Sequence, residues 1–246
     1  MKRIFSVPNS TPTSALYLES GCLRIGTIIK ARRLNYLHYL VKLPENDMLS
    51  RFFKCQWDNP NMNDWTNQVK KDLGDLKLPK DLEKIRDKSL LSWKSLVKKM
   101  AKEFELEKLI IYKEVKNNSK LKELNYKKLE TQDYLKDLTV QEAKAVFRFR
   151  TKMQTFDGNL NGKETKVLCP LCAEHFDLQE TCFDCPILRK KLRIEDRYES
   201  IFGSVIPATL AKILLGIEKI RKEEYLSQRE AQMCTIPNSM GAASIV

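Results

Sequence analysis

The chain of 246 residues has a formal net charge of +12 and a pI near 9.3, with 42% hydrophobic residues. That apolar content is enough for a packed core over one large or two small domains. Few glycines and prolines against frequent Lys, Glu and Leu favour helix over sheet, so the expected class is mainly α. No stretch approaches a membrane span in length, and no apolar region follows the basic start Met1-Lys2-Arg3, as a secretory leader requires. An odd number of cysteines without such a leader points to a reducing compartment, nucleus or cytoplasm. The excess of positive charge suits a polyanionic partner, nucleic acid ahead of an anionic membrane.

In chain order, residues 1–9 form a short lead-in. Thr11-Pro12 predicts a helix start, with the hydroxyl as cap and the proline in the first turn, and Gly21 fits its stop. A second helix is predicted over about 23–43, ended by Pro44, with Ile25, Ile28, Ile29, Tyr36, Leu37 and Leu40 as its apolar face. Lys30, Arg32 and Arg33 form a basic cluster in its middle and are candidate phosphate contacts. His38 has no carboxylate or cysteine near it in sequence and reads as a core or boundary histidine. A short helix over 47–56 and another, capped by Asn63 and carrying Trp65, Val69 and Leu73, flank a turn at Trp57–Asn61. From about 79 to 116, Leu90, Trp93, Val97, Met100, Phe104, Ile111 and Val115 recur at steps of three, four or seven. That predicts one long helix with a seam for a second helix. Asn117-Asn118-Ser119 ends it. Residues 1–118 therefore read as a helical bundle, and the Lys-rich 119–137 as a linker.

Residues 138–226 read as a second, small helical domain. Thr139-Val140-Gln141-Glu142 is a capping box. The helix it opens holds Val146, Phe149 and Met153 on one side, and Lys144, Arg148 and Lys152 on another with Arg150 at the flank. These four cations are candidates for phosphate contact. Turns follow at Phe156–Asn159 and Asn161–Lys163. Then come Cys169-Pro170-Leu171-Cys172 and Cys182-Phe183-Asp184-Cys185, two Cys-x-x-Cys pairs with nine residues between them. Two residues between cysteines let a tight turn present both sulfurs to one ion, and a second pair closes a tetrahedral shell. The expected ligands of a structural Zn²⁺ are thus Cys169, Cys172, Cys182 and Cys185, a closed set that leaves no position for a reactive water. Phe183 is either a base-stacking partner or packing for the metal loop. A second basic run, Arg189, Lys190, Lys191 and Arg193, follows directly. The last helix is predicted over Ser204–Tyr225, with Leu210, Ile213, Leu214, Ile217 and Ile220 inward, and 227–246 as a disordered tail.

Several strings resemble one family. Arg3-Ile4-Phe5-Ser6-Val7-Pro8-Asn9-Ser10-Thr11-Pro12, Ala15–Gly21 and Ile28–Leu37 resemble the region just beyond the polymerase palm in reverse transcriptases of non-LTR (LINE-type) retrotransposons. Phe147–Met153 followed by Cys169-Pro170-Leu171-Cys172 is similar to the same family's C-terminal zinc knuckle, in the same order. The resemblance implies a thumb-like bundle, then a knuckle. On the family pattern Cys169, Cys172 and Cys185 carry over as ligands. The family's histidine falls on Thr181, leaving Cys182, or less readily His175, as fourth ligand, and Ala173 stands where a glycine is usual.

The family's polymerases need an aromatic-x-Asp-Asp turn to hold Mg²⁺, and no two aspartates are adjacent here. The acidic centre of the endonuclease found after the knuckle in related elements is also missing, as are a P-loop and a G-x-S-x-G elbow. The expected function is non-catalytic binding of RNA or DNA, mainly through phosphates, by a retroelement-derived fragment. The competing expectation is a zinc-stapled protein-interaction adaptor that docks a partner helix on the seam at 90–115.

Overall fold

The computed structural model describes residues 2–7, 9, 11–59, 64–115, 126–151, 153, 167–179, 181–194 and 207–234. It is mainly helical. Among the described residues the only β pairing is an isolated antiparallel bridge between Leu168 and Phe176. The chain separates into two units, one formed by 12–132 and the other by 1–11 with 133–246.

The first unit begins with α1, Thr13–Ser20. Pro12 is its N-cap with no side-chain hydrogen bond, and the hydroxyl of Thr11, expected to cap, is buried without a partner. Gly21 closes the helix at φ 65°, where a Cβ would lie 2.3 Å from the Thr131 nitrogen. Only glycine tolerates both the left-handed backbone and that approach. The strand of chain at 126–132 seals this end. Thr131 donates to the Ser20 carbonyl at 2.9 Å, Gln132 N–H to the Glu19 carbonyl at 3.1 Å, and the Tyr126 hydroxyl to the buried Glu19 carboxylate.

Helix α2, Ile25–Lys42, is the spine of this unit. Leu34, Leu37, Leu40 and Val41 are buried along it, whereas Ile25, Ile29 and Tyr36, expected on the same face, are exposed. α3 (Met48–Asp58) starts at Asp47, whose carboxylate accepts from Leu49 and Ser50 N–H. α4 runs Trp65–Asp75 from Asp64, and Asn63, the expected cap, lies outside the described residues. The predicted long helix from 79 is two helices. α5 (Leu82–Arg86) is capped by Asp81, and α6 (Leu90–Val115) follows after a break at 87–89.

Along α6, Trp93, Val97, Ala101, Glu105 and Leu109 are buried at strict four-residue steps. α6 packs on α2. Trp93 joins the core around α2 and donates its indole N–H to the Leu34 carbonyl at 3.0 Å. Glu105 accepts from Arg24 Nε and Thr27 Oγ1. The seam is therefore the bundle's own interface, and two of its expected members, Leu90 and Ile111, are exposed. His38 is a core residue, as its sequence context indicates. It stacks on Trp93 with centroids 5.9 Å apart, and its Nε2 meets the Lys88 carbonyl at 2.9 Å.

The second unit holds α7 (Tyr134–Asp137), α8 (Val140–Arg150), α9 (Pro186–Leu192) and α10 (Pro207–Cys234). The capping box forms at α8, with Thr139 accepting from Glu142 N–H and the Glu142 carboxylate from Thr139 N–H. α8 packs against α10, burying Val146, Phe147, Phe149, Leu210, Leu214 and Ile217. Phe5 of the lead-in stacks on Phe147 at 4.2 Å. Gly216 lets α10 approach α9, since a Cβ there would sit 2.6 Å from Leu192 Cδ2. α10 extends to Cys234, past the point where the sequence pattern fades, while 235–246 lie outside the described residues.

Candidate metal centre and its basic surroundings

A short hairpin-like turn presents the first cysteine pair. Cys169 N–H donates to the His175 carbonyl at 2.7 Å, Asp177 N–H to the Val167 carbonyl at 2.7 Å, and Ala173 N–H to the Cys169 carbonyl at 2.9 Å. Ala173 takes φ 54°, a left-handed conformation that favours glycine. Two anchors fix this turn to the helices of its unit. The Asp177 carboxylate accepts two hydrogen bonds from the Arg221 guanidinium of α10, at 2.5 and 2.7 Å, with both side chains buried. Gln179 donates to the Phe149 carbonyl at the end of α8, at 2.8 Å. Phe183 is fully buried, edge-on to Phe149 at 5.6 Å, which makes it packing for the loop and closes it to a base.

The sulfurs of Cys169, Cys172 and Cys185 all lie within 4.8 Å of one another. Those of Cys169 and Cys185 are 3.9 Å apart, far beyond a disulfide. A tetrahedral zinc with Zn–S bonds of ~2.3 Å sets its sulfurs ~3.8 Å apart, so the donor set fits that ion. The fourth expected ligand is elsewhere. Cys182 is buried with its Sγ 3.0 Å from the Gln179 carbonyl, and no other His, Cys, Asp or Glu among the described residues joins the trio. The cause is local. Cys182 sits in the turn leading to α9, where its N–H donates to the Leu178 carbonyl, while Cys185 alone reaches the knuckle from the N-cap of α9. Thr181, where the resembled family has histidine, turns its hydroxyl to the Phe176 and Leu178 carbonyls. The expectation of a closed four-cysteine shell is replaced by three gathered thiols.

Their titration differs. Burial opposes a thiolate at Cys172, but hydrogen bonds from the Glu174 and His175 N–H groups and from the Cys185 and Cys169 thiols together hold its pKa below the ordinary thiol range. Burial, reinforced by the neighbouring Cys169, pushes Cys185 up to about 12. A divalent cation is the partner that lets all three ionise together.

The candidate phosphate contacts fall into groups. On α9, Lys190, Lys191 and Arg193 are exposed, with Arg189 half-buried beside them. Arg193 terminates the helix in the left-handed region, so it projects past the last turn. On α8, Arg148 is committed to Glu218 of α10, at 2.6 and 2.9 Å. Arg150 lies over the Tyr134 ring at 5.6 Å, Lys144 is half-buried, and Lys152 lies outside the described residues. On α2, Lys30 bridges Asp72 (2.8 Å) and Asp75 (2.5 Å), and Arg33 pairs with Asp72 at 2.7 Å. Asp72 is fully buried, so this part of the expected basic cluster holds α2 to α4. Arg32 alone of the three is exposed.

Asp177 and Arg221 gave no sequence signal, because the partners are far apart in the chain and neither lies in a motif. Tyr36, expected on the apolar face of α2, is exposed, and so is Tyr39. Their signal was the spacing Arg32, Tyr36, Tyr39, Lys42, one continuous stripe on a helix. No protein-family model, curated protein or solved structure matches the chain.

Proposed function

We propose that this chain is a non-catalytic nucleic-acid-binding protein. In this reading it descends from the post-palm part of a LINE-type reverse transcriptase and carries a zinc on Cys169, Cys172 and Cys185, with the fourth position taken by a ligand outside this trio. The observation that carries this reading is the seating of the thiol trio directly before α9, whose Lys190, Lys191 and Arg193 face solvent. A metal at the N-cap of so short a helix fixes its direction, and with it the cationic surface. Lysine and arginine on an exposed helix suit contact through phosphates, which positions a nucleic acid without reading its bases. The chain-wide positive charge adds long-range attraction. Against the adaptor alternative speaks the packing of α6 on α2 and α1, with Trp93, Val97 and Ala101 of the expected docking seam in the core around α2.

Fluorescence anisotropy with labelled RNA and DNA, titrated across salt, tests this. Binding at low salt that weakens steeply as salt rises is the expected result. Replacing Lys190, Lys191 and Arg193 together by alanine should lower the salt slope by about 2–3. Absence of affinity for any nucleic acid at low salt would contradict the proposal.

A further inference from the structure

Beyond the knuckle, we infer that the C-terminal half of α2 and the start of α6 form a binding platform for single-stranded nucleic acid, with Tyr36 and Tyr39 stacking bases. The inference rests on the nucleic-acid reading above and assigns a second site within the unit formed by 12–132.

A cleft of about 650 Å³ lies here, lined by Asn35, Tyr36, Tyr39, Lys42, Leu90 and Lys94 together with the buried His38. Tyr36 is 45% exposed and Tyr39 51%, large values for aromatic residues on a structured helix. Their rings are nearly parallel, 22° between planes with centroids 5.8 Å apart, and Trp65 meets Tyr36 edge-on at 5.6 Å. Exposed, nearly parallel aromatic rings suit unpaired bases, whose π-faces are available only when they are not stacked in a duplex. The charge around them selects the occupant. Lys42 and Lys94 line the cleft and are exposed, and Arg32 is exposed one turn before Tyr36. None of these three takes part in an ion pair among the described residues, and no acid lines the cleft. Aromatics flanked by solvated cations match a polyanion with flat bases better than an apolar peptide helix, which needs no such charge. Lys30 and Arg33, by contrast, are paired with Asp72 and Asp75, so of the basic cluster on α2 only Arg32 stands outside an ion pair among the described residues.

The test uses the full chain with a labelled oligothymidylate of about 20 nucleotides and a duplex of the same length, by anisotropy. Tyr39→Ala should weaken oligothymidylate binding roughly 10-fold or more while duplex affinity changes less than about twofold, and Tyr39→Phe should retain both. Tyr36 packs on Trp65, so Tyr39→Ala and a Lys94→Glu variant are preferred, each checked by circular dichroism. Single-strand affinity unchanged in Tyr39→Ala overturns the platform while leaving the knuckle reading intact. Loss of single-strand and duplex binding alike overturns it as a base-stacking site. A dimer of the parent protein that Tyr39→Ala dissolves reassigns the face to self-association. Failure of the parent protein to bind any nucleic acid overturns both readings.

Discussion

Arg148 and Glu218 show how a single pair decides whether a cation is available to a ligand. The two-point contact between α8 and α10 leaves Arg148 mostly covered. Burial raises the Glu218 pKa above its ordinary value despite the Arg148 charge beside it, so desolvation outweighs attraction at this site. The sign follows directly. The folded state holds the Glu218 proton more tightly than the unfolded state, so this group's contribution falls as pH rises from about 4 through the raised pKa, and is flat above it. Glu218→Gln should therefore be at least as stable as the parent near neutral pH, and the gap between the two should narrow on acidification. Chemical denaturation at several pH values measures this. A Glu218→Gln protein that is much less stable at pH 7 would contradict it. In the sequence, Arg148 looked like part of a basic stripe because helical spacing reports which residues share a face, and the acid that neutralises it lies on a distant helix.

At the scale of elements, the same limit separates what the first unit's sequence disclosed from what it hid. The helices α2, α3 and α4, and the stop at Gly21, were legible from periodicity and caps, which are local properties. The buried stripe of α6 was only half legible, because Glu105 occupies a core position that an apolar count passes over. It is satisfied there by Arg24, at the N-cap of α2, and by Thr27 in its first turn. The break at 87–89 was missed because no glycine or proline marks it. Asp72 has the equivalent role between α2 and α4, receiving both Lys30 and Arg33 while fully buried. Asp72→Ala leaves Arg33 half-covered without this partner and Lys30 with Asp75 alone, and should cost ~2–4 kcal/mol of unfolding free energy. Affinity of the folded fraction for nucleic acid should stay at the parent level or rise. A stability loss below about 0.5 kcal/mol would show that the pair is solvated in practice.

For the whole molecule, the greater part of the excess positive charge belongs to residues 12–132, while the thiol trio belongs to the other unit. A long polyanion engaging both α9 and the tyrosine cleft would gain from the linkage of two modest contacts in one chain. That Cys169, Cys172 and Cys185 come together was legible because the Cys-Pro-Leu-Cys turn and the N-cap of α9 impose their positions. Cys182 was expected as the fourth ligand, ahead of His175, because it completes a second Cys-x-x-Cys in sequence. Only the local fold distinguishes the cysteine that reaches the cluster from the one turned to Gln179. The most direct test of the account is the zinc content of the purified chain, measured for the parent and for Cys185→Ser and Cys182→Ser. The account predicts about one zinc per chain in the parent and in Cys182→Ser, and loss of it in Cys185→Ser. A parent protein that carries no metal, or that keeps its metal in Cys185→Ser, would contradict it.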